Sequence, residues 1–368
     1  MLFAWIVIGT LLLFVLQREL YLRKWDRGVF IDFHFTERAV NEGESVGIVE
    51  RSVNRKLLPL PFYGYEYKVK RNYSTFSTDG SDAMTLKRKL ALPARRAAAN
   101  RAKLQGLLRG VYAVGEVKLS STDLFHTLRL ERGQDCYAYM TVYPAKIPAQ
   151  KLALPVRLLL GSVTTRRMAQ EDPFALKSIR PYEIYDSPRI INWKASARTG
   201  ELKVNQFEYT TDEALLILLD MGCGEENDRE EMIRLASSIS LFFLRRGVSV
   251  SLLANGRDCA TGLPIRVRAG AGLGHQIAVD EALAHVNLAH PATEPFEHFL
   301  AGVSREALRG ALPVAISADP AGESLRAFQA APGTKGGYFL AVNGRSGFRK
   351  DGGVTLINWD GSEGEASL

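Results

Sequence analysis

The sequence predicts an α+β multidomain protein with an N-terminal membrane helix, an immunoglobulin-like β-sandwich, and an α/β domain built on an open parallel sheet. Three observations carry that prediction. The chain opens on an uninterrupted apolar run, residues 28–150 read as short alternating segments broken by turn residues, and beyond residue 206 continuous apolar runs alternate with amphipathic stretches. The boundaries that follow are 1–27 for the anchor and its basic flank, 28–150 for the sandwich, 151–205 for a linking segment, and 206–368 for the α/β domain.

Leu2 to Leu16 (LFAWIVIGTLLLFVL) is apolar throughout and is followed by Gln17, Arg18, Arg23, Lys24 and Arg27. Fifteen residues fall short of the ~20 that cross a hydrocarbon core, but Leu20, Tyr21, Leu22 and Trp25 extend the pattern, and Trp5 and Trp25 suit the two interfaces. A cleaved signal peptide would need positive charge before the run and small residues at a cleavage site, and neither is present. With the cations after the span, the positive-inside rule places the bulk of a single-pass chain in the cytoplasm at the cell membrane.

From Val29 to Pro148, the runs VFIDFHF, SVGIVERSV, YGYEYKVKR, GVYAVGEVKLS and CYAYMTVYP are of strand length and rich in Val, Tyr and Phe. Lys87 to Gly110 (KRKLALPARRAAANRAKLQGLLRG) is dense in cations, and its alanine-rich middle has helical propensity. It reads either as a surface for lipid headgroups or another anionic partner, or as a solvated loop or edge strand guarded by charge.

Ala214 to Leu219 (ALLILL) is a strand buried on both faces, ending in Asp220. A helix follows, with Asn227 and Glu230 as a capping box, an apolar stripe through Met232, Leu235, Ala236, Ile239, Phe242 and Phe243, and Gly247 at its end. Strands at Val248 to Ala254, Pro313 to Ser317 and, last, Tyr338 to Val342 alternate with helices near Gln276 to Val286, Pro295 to Leu308 and Leu325 to Ala330. That alternation implies a parallel sheet covered on both faces, with ligands expected at the carboxyl ends of its strands.

The formal charge of +7 is unevenly spread. Gln17 to Lys118 carries 20 Lys and Arg against 11 Asp and Glu, and the remainder 27 against 29. The basicity thus sits beside the anchor, where an anionic membrane surface explains it without nucleic acid. Cys136, Cys223 and Cys259 are too scattered for a disulfide framework or a zinc site. No HExxH, GxSxG or P-loop pattern occurs, so no familiar catalytic chemistry is proposed by motif.

Asp220, at the end of the first buried strand, opens the loop Asp220-Met221-Gly222-Cys223-Gly224. Hydroxyl residues in place of Gly222 and Gly224 would make this a DxSxS site for Mg²⁺, which takes oxygen ligands in a near-octahedral shell. With two ligands missing, the site is degenerate: Asp220 either caps a strand or helix end or, with Asp319, forms a weak metal site. No cofactor is expected beyond that possible Mg²⁺.

The densest segment is Ser178 to Val204 (SIRPYEIYDSPRIINWKASARTGELKV), which combines Arg180, Tyr182, Asp186, Arg189, Asn192, Trp193, Lys194, Ser196 and Arg198. With Arg166-Arg167 and Asp172-Pro173-Phe174 before it, this run strongly resembles the signature of the bacterial family known as domain of unknown function 58. Two departures stand out. Members commonly begin with a pair of membrane helices, and Thr122-Asp123-Leu124-Phe125 replaces the usual Asp-Pro-Phe-Gly-Leu. The resemblance implies a von Willebrand factor type A-like C-terminal domain and association with a MoxR-type AAA+ ATPase in assembly or maturation of other proteins. It brings no catalytic residues.

Read physically, the signature has two forms. Its cations, with Tyr182 and Trp193 as aromatic anchors, present a protein-binding surface. Alternatively Asp186 pairs with an arginine, Trp193 fills the seam between the domains, and Asn192 and Ser196 satisfy turn backbone. The expected function is that of a non-enzymatic, membrane-anchored adaptor; the alternative is a metal-dependent hydrolase using Asp220 and Asp319.

Overall fold

A computed structural model describes residues 2–71, 83–169, 171–183, 188, 191–209, 214–289, 292–303, 308, 311–319, 322–342 and 347–359. Two compact units emerge: Met1–Ala145 with Arg257–Gly262 and Asp280–Asn287, and Lys146–Gly256 with Leu263–Val279 and Leu288–Leu368.

The first unit begins with α1 (Leu2–Lys24), among the described residues the one helix long and apolar enough to cross a membrane. Phe3, Trp5, Leu11, Leu12 and Leu16 are exposed along it, whereas Tyr21 joins the core of the unit and donates its hydroxyl to the Pro59 carbonyl at 2.8 Å. The interface role expected of Trp25 is overturned. Four residues beyond Tyr21 and so on the same helical face, it is only 5% exposed and packs in that core.

Two sheets supply the rest of this core. One is three-stranded, with β1 (Val29–Phe35), β3 (Val46–Asn54) and β6 (Ala97–Leu104) in that order and antiparallel. The other orders β2 (Ala39–Asn41), β8 (Arg129–Tyr143), β7 (Gly110–Thr122), β4 (Leu60–Arg71) and β5 (Ala83–Leu92), with only the β2–β8 pair parallel. Inward residues alternate with outward ones, as in β1, where Val29, Ile31 and Phe33 are buried.

The helical propensity of the alanine-rich stretch is overridden. β5 and β6 are strands, each at the edge of its sheet, because Ala102 and Leu104 alternate inward while Arg101 and Lys103 point to solvent. Charged edges of this kind discourage pairing with a further strand.

Glu50 on β3 is fully buried and accepts hydrogen bonds from the Tyr65 and Tyr67 hydroxyls on β4, with the Arg88 guanidinium 3.2 Å away. One carboxylate therefore ties the two sheets together. Burial, and then the Glu50 carboxylate, raise the pKa of both tyrosines above its usual value. Replacing Glu50 with Ala strands two buried hydroxyls and is expected to cost about 2–4 kcal/mol, with Gln costing less, read from denaturant midpoints. Because the tyrosine values are raised on folding, their contribution is fully present below about pH 10, where the unfolded phenols begin to ionise, and declines as pH rises beyond it.

The second unit starts with α2 (Ala153–Ala169), a helix not anticipated in the linking segment. β9 (Glu171–Pro181) and β10 (Lys203–Tyr209) then form a separate two-stranded antiparallel sheet, connected through α3 (Trp193–Thr199).

The main sheet has seven strands in the order β13 (Pro264–Gly270), β12 (Ser249–Arg257), β11 (Ala214–Leu219), β14 (Ala311–Ser317), β15 (Tyr338–Val342), β17 (Val354–Trp359) and β16 (Gly347–Asp351). From β12 to β17 neighbours are parallel, and β16 runs antiparallel to β17. Tyr338–Val342 is thus not the last strand: the short hairpin of β16 and β17 extends the sheet beyond it. Helices among the described residues include α4 (Glu226–Leu244), α5 (Leu273–Ala284), α6 (Phe296–Gly302) and α7 (Glu323–Ala330).

Helix α4 begins two residues before the expected cap. Its N-cap is Glu225, whose backbone N–H donates to the Asp228 carboxylate at 2.9 Å, so Asp228 rather than Glu230 closes the first turn.

Candidate functional site

The carboxyl ends of β11, β12 and β14 converge on Asp220, which is 1% exposed. Its Oδ1 accepts from Asn255 Nδ2 at 3.2 Å and from the Gly222 backbone N–H at 3.1 Å. Its Oδ2 accepts from the hydroxyls of Ser317 at 2.9 Å and Ser324 at 2.6 Å. Asn255 also accepts from the Met221 N–H at 2.6 Å and donates to the Glu294 carbonyl at 3.2 Å. One buried anion thus organises the ends of three strands and the start of α7.

Asp319 lies beside this network. Its backbone N–H donates to Ser317 Oγ at 3.2 Å, and its Oδ2 accepts from the Ser324 N–H at 2.7 Å. The two carboxylates proposed from the sequence are therefore brought together through two shared serines.

A carboxylate offers about four lone-pair positions, and four protein donors occupy those of Asp220. Gly222 and Gly224 contribute no side-chain oxygen. Gly224 takes φ 79°, and a Cβ there would lie 2.7 Å from Ala318 Cβ, so the turn excludes the hydroxyl residue a Mg²⁺ shell would need. As arranged, these residues do not fit Mg²⁺, and no chemical step is derived through one.

The neighbouring thiol is no nucleophile. Burial, reinforced by the Asp220 charge, pushes Cys223 up to about 11, so it is protonated near neutral pH. In the first unit Asp258, Cys259 and His285 place ligand-type atoms within 4.8 Å of one another, a grouping that no short spacing in the sequence signals. Asp258 Oδ1 already accepts from the N–H groups of Ala260 at 2.7 Å and Thr261 at 3.0 Å, and burial pushes Cys259 up to about 12. The trio clasps a turn to the end of α5.

The signature segment separates into inner and outer residues. Asn192 caps α3: its Oδ1 accepts from the Ala195 N–H at 2.9 Å, and its Nδ2 donates to Asn205 Oδ1 at 2.7 Å. Ser196, buried, donates its hydroxyl to the Asn192 carbonyl and accepts from the Lys203 N–H, both at 2.9 Å. Gly200 ends the helix at φ 74° and returns its N–H to the Ser196 carbonyl. These residues lock α3 onto β10.

The opposite side of α3 is open. Trp193, Lys194, Ala197 and Arg198 fall within one arc of the helix and are all exposed, Trp193 by 68%. Arg180 and Tyr182 are half-buried near the β9 end, where the Arg180 guanidinium donates to the Pro181 carbonyl at 3.1 Å and the Tyr182 N–H to the Leu202 carbonyl at 2.9 Å. Asp186 and Arg189 lie outside the described residues.

No curated protein matches this chain. Among solved structures it is similar to the alkylpurine DNA glycosylase AlkC of Pseudomonas fluorescens bound to DNA containing an abasic site analog, at 17% identity and TM-score 0.21 over 30% of each chain. It is also similar to the C-terminal domain of wzt, at 11% identity and TM-score 0.26 over 32% of this chain and 75% of that one. Spo0M, a sporulation control protein of Bacillus subtilis, is similar at 8% identity and TM-score 0.20 over 42% of this chain and 58% of its own. Similarities this slight carry no argument. Residues 178–318, from the signature through β14, match the family described as protein of unknown function DUF58, and that match supports a place for this chain among its members.

Proposed function

We propose that this chain is a membrane-anchored adaptor whose bulk lies in the cytoplasm and which binds a protein partner, a MoxR-type AAA+ ATPase, in the assembly or maturation of other proteins. In this reading the first unit is an immunoglobulin-like module and the second a von Willebrand factor type A-like domain with a degenerate metal site. The observation that carries it is the outer face of α3. An aromatic and two cations stand in solvent on a short helix that the chain has locked with a cap, a buried serine and a glycine stop. Exposed Trp and Arg on a rigid support have the composition of an interaction hot spot, and pre-ordering lowers the entropy lost on binding. The alternative hydrolase reading is disfavoured because Asp220 is buried and its lone pairs are taken.

The test is capture of the ATPase from native membranes by the full chain, with and without crosslinking, compared with Trp193→Ala and Arg198→Ala. Both substitutions leave the α3 cap intact, so thermal stability is expected to stay within about 0.5 kcal/mol of the unaltered chain. Affinity should fall by about 30-fold for each, corresponding to about 2 kcal/mol. Absence of any ATPase in crosslinked and uncrosslinked samples, or capture unaffected by either substitution, refutes the proposal.

A further inference from the structure

α1 is long and apolar enough to cross a membrane, yet its C-terminal end is shared with the protein: Tyr21 and, just beyond the helix, Trp25 pack in the core of the first unit. The body of the first unit therefore begins where the apolar run ends, and apolar surface placed beside that part of α1 meets the same bilayer.

The structure places such surface there. In the loop between β7 and β8, Leu124 and Phe125 are exposed, and the Phe125 ring lies 5.4 Å from the ring of Phe14, inside the apolar run. The loop is fastened to the helix by Asp123, which is fully buried. Its Oδ2 accepts from Gln17 Nε2 at 3.0 Å and from Thr127 Oγ1 at 2.8 Å, while Oδ1 accepts from the N–H groups of Thr127 at 2.6 Å and Leu128 at 2.9 Å. Two large apolar side chains are thereby held in water's reach at the level of α1 where the chain passes from apolar residues to Gln17 and Arg18. The same loop gives His126 to the wall of a cleft of about 570 Å³ that is also lined by Phe62, Lys89 and Arg129. A cleft that the same loop helps to wall and that carries a lysine and an arginine suits an acidic lipid surface.

We infer that the Leu124–Phe125 loop is a second membrane contact, inserted among the headgroups of an acidic phospholipid bilayer beside α1. The inference rests on α1 being an anchor. It adds that the first unit is held against the bilayer at two points and so cannot swivel freely on its helix.

The test uses the full chain in vesicles of phosphatidylethanolamine and phosphatidylglycerol, carrying Cys223→Ser and one added cysteine. The addition is Phe125→Cys for the loop, or Leu12→Cys as a reporter of the anchor. Cys136 and Cys259 are buried, and burial raises both thiols, so a maleimide nitrobenzoxadiazole probe near neutral pH marks the added position. At both positions the probe is expected to lose most of its emission to nitroxide lipids and to resist aqueous iodide. Quenching at position 125 should be strongest with the nitroxide near the headgroup, and at position 12 with it deep in the acyl chains. Iodide access at 125 with protection at 12 overturns the loop contact while the anchor stands, and iodide access at both overturns the two together. Since Phe125→Cys removes the contact with Phe14, the native side chains are tested separately with a diazirine-bearing phospholipid. Label on the peptide containing Leu124 and Phe125 supports the inference; label on α1 with none on that peptide overturns it.

Discussion

Asp220→Ala is expected to be among the most damaging single substitutions in the second unit, lowering its stability by about 3–4 kcal/mol. The side chain is buried, and its removal strands the hydroxyls of Ser317 and Ser324, the Asn255 amide and the Gly222 N–H around a small cavity. For a unit of this size such a loss moves the thermal midpoint by about 10 °C. Asp220→Asn should fall between Ala and the native residue. Its carbonyl oxygen still accepts, but its amide sets two N–H donors against a shell of donors, of which only the serine hydroxyls can turn to accept. The measurement is differential scanning calorimetry of both variants with and without millimolar Mg²⁺. A structural anion gives the same losses in either condition and no Mg²⁺-dependent gain in the native chain. A rise in the native midpoint with Mg²⁺ that Asp220→Ala abolishes would instead establish a metal site.

That result also bears on how much the sequence could disclose. Asp220 was legible because it is the first polar residue after a strand buried on both faces, and such positions line the ligand-bearing edge of an open sheet. Its partners were not. Asn255, Ser317 and Ser324 arrive from segments 35, 97 and 104 residues away, and a serine that closes a network looks in sequence like one that faces water. The two missing hydroxyls of the DxSxS pattern were plain, but not that serines from other loops would satisfy the carboxylate.

The signature shows a related limit. Its composition allowed two alternatives, a binding face or a structural role, and the structure turns Asn192 and Ser196 to the support of α3 while leaving Trp193, Lys194 and Arg198 exposed. Residue type alone could not make that division, because tryptophan is as much at home in a core as on a binding surface. The strands β5 and β6 were obscured by local propensity, since alanine favours helix in isolation while pairing at a sheet edge decided the outcome. Trp25 misled for the opposite reason: aromatic residues at the end of an apolar helix suit a membrane interface, but this one had a core to enter.

Arg109 gave no signal, lying in a cation-rich stretch where any arginine would be taken as solvated, yet its replacement is the second large effect expected. It is fully buried, and its Nη1 donates to the carbonyls of Leu283 at 2.8 Å, Val286 at 3.0 Å and Ala284 at 3.2 Å, while its own carbonyl accepts from Arg71 Nε at 2.7 Å. The last carbonyls of a helix lack partners within it, and they lie at the negative end of the helix dipole. A guanidinium placed there satisfies several at once with a planar set of donors, which a lysine ammonium on its flexible stem reproduces only in part. Arg109→Ala should therefore cost about 3–5 kcal/mol, through the stranded carbonyls and the vacated volume. Arg109→Lys should recover roughly half of that loss. Hydrogen exchange localises the effect: in Arg109→Ala the amides of residues 281–287 and of Cys259, whose N–H donates to the His285 carbonyl at 2.8 Å, should exchange faster, while those of β11 and β14 keep their protection. Unchanged protection at 281–287 would show that the helix end is held without Arg109. Loss spread evenly over β11 and β14 would mean that the arginine supports global folding rather than this one terminus.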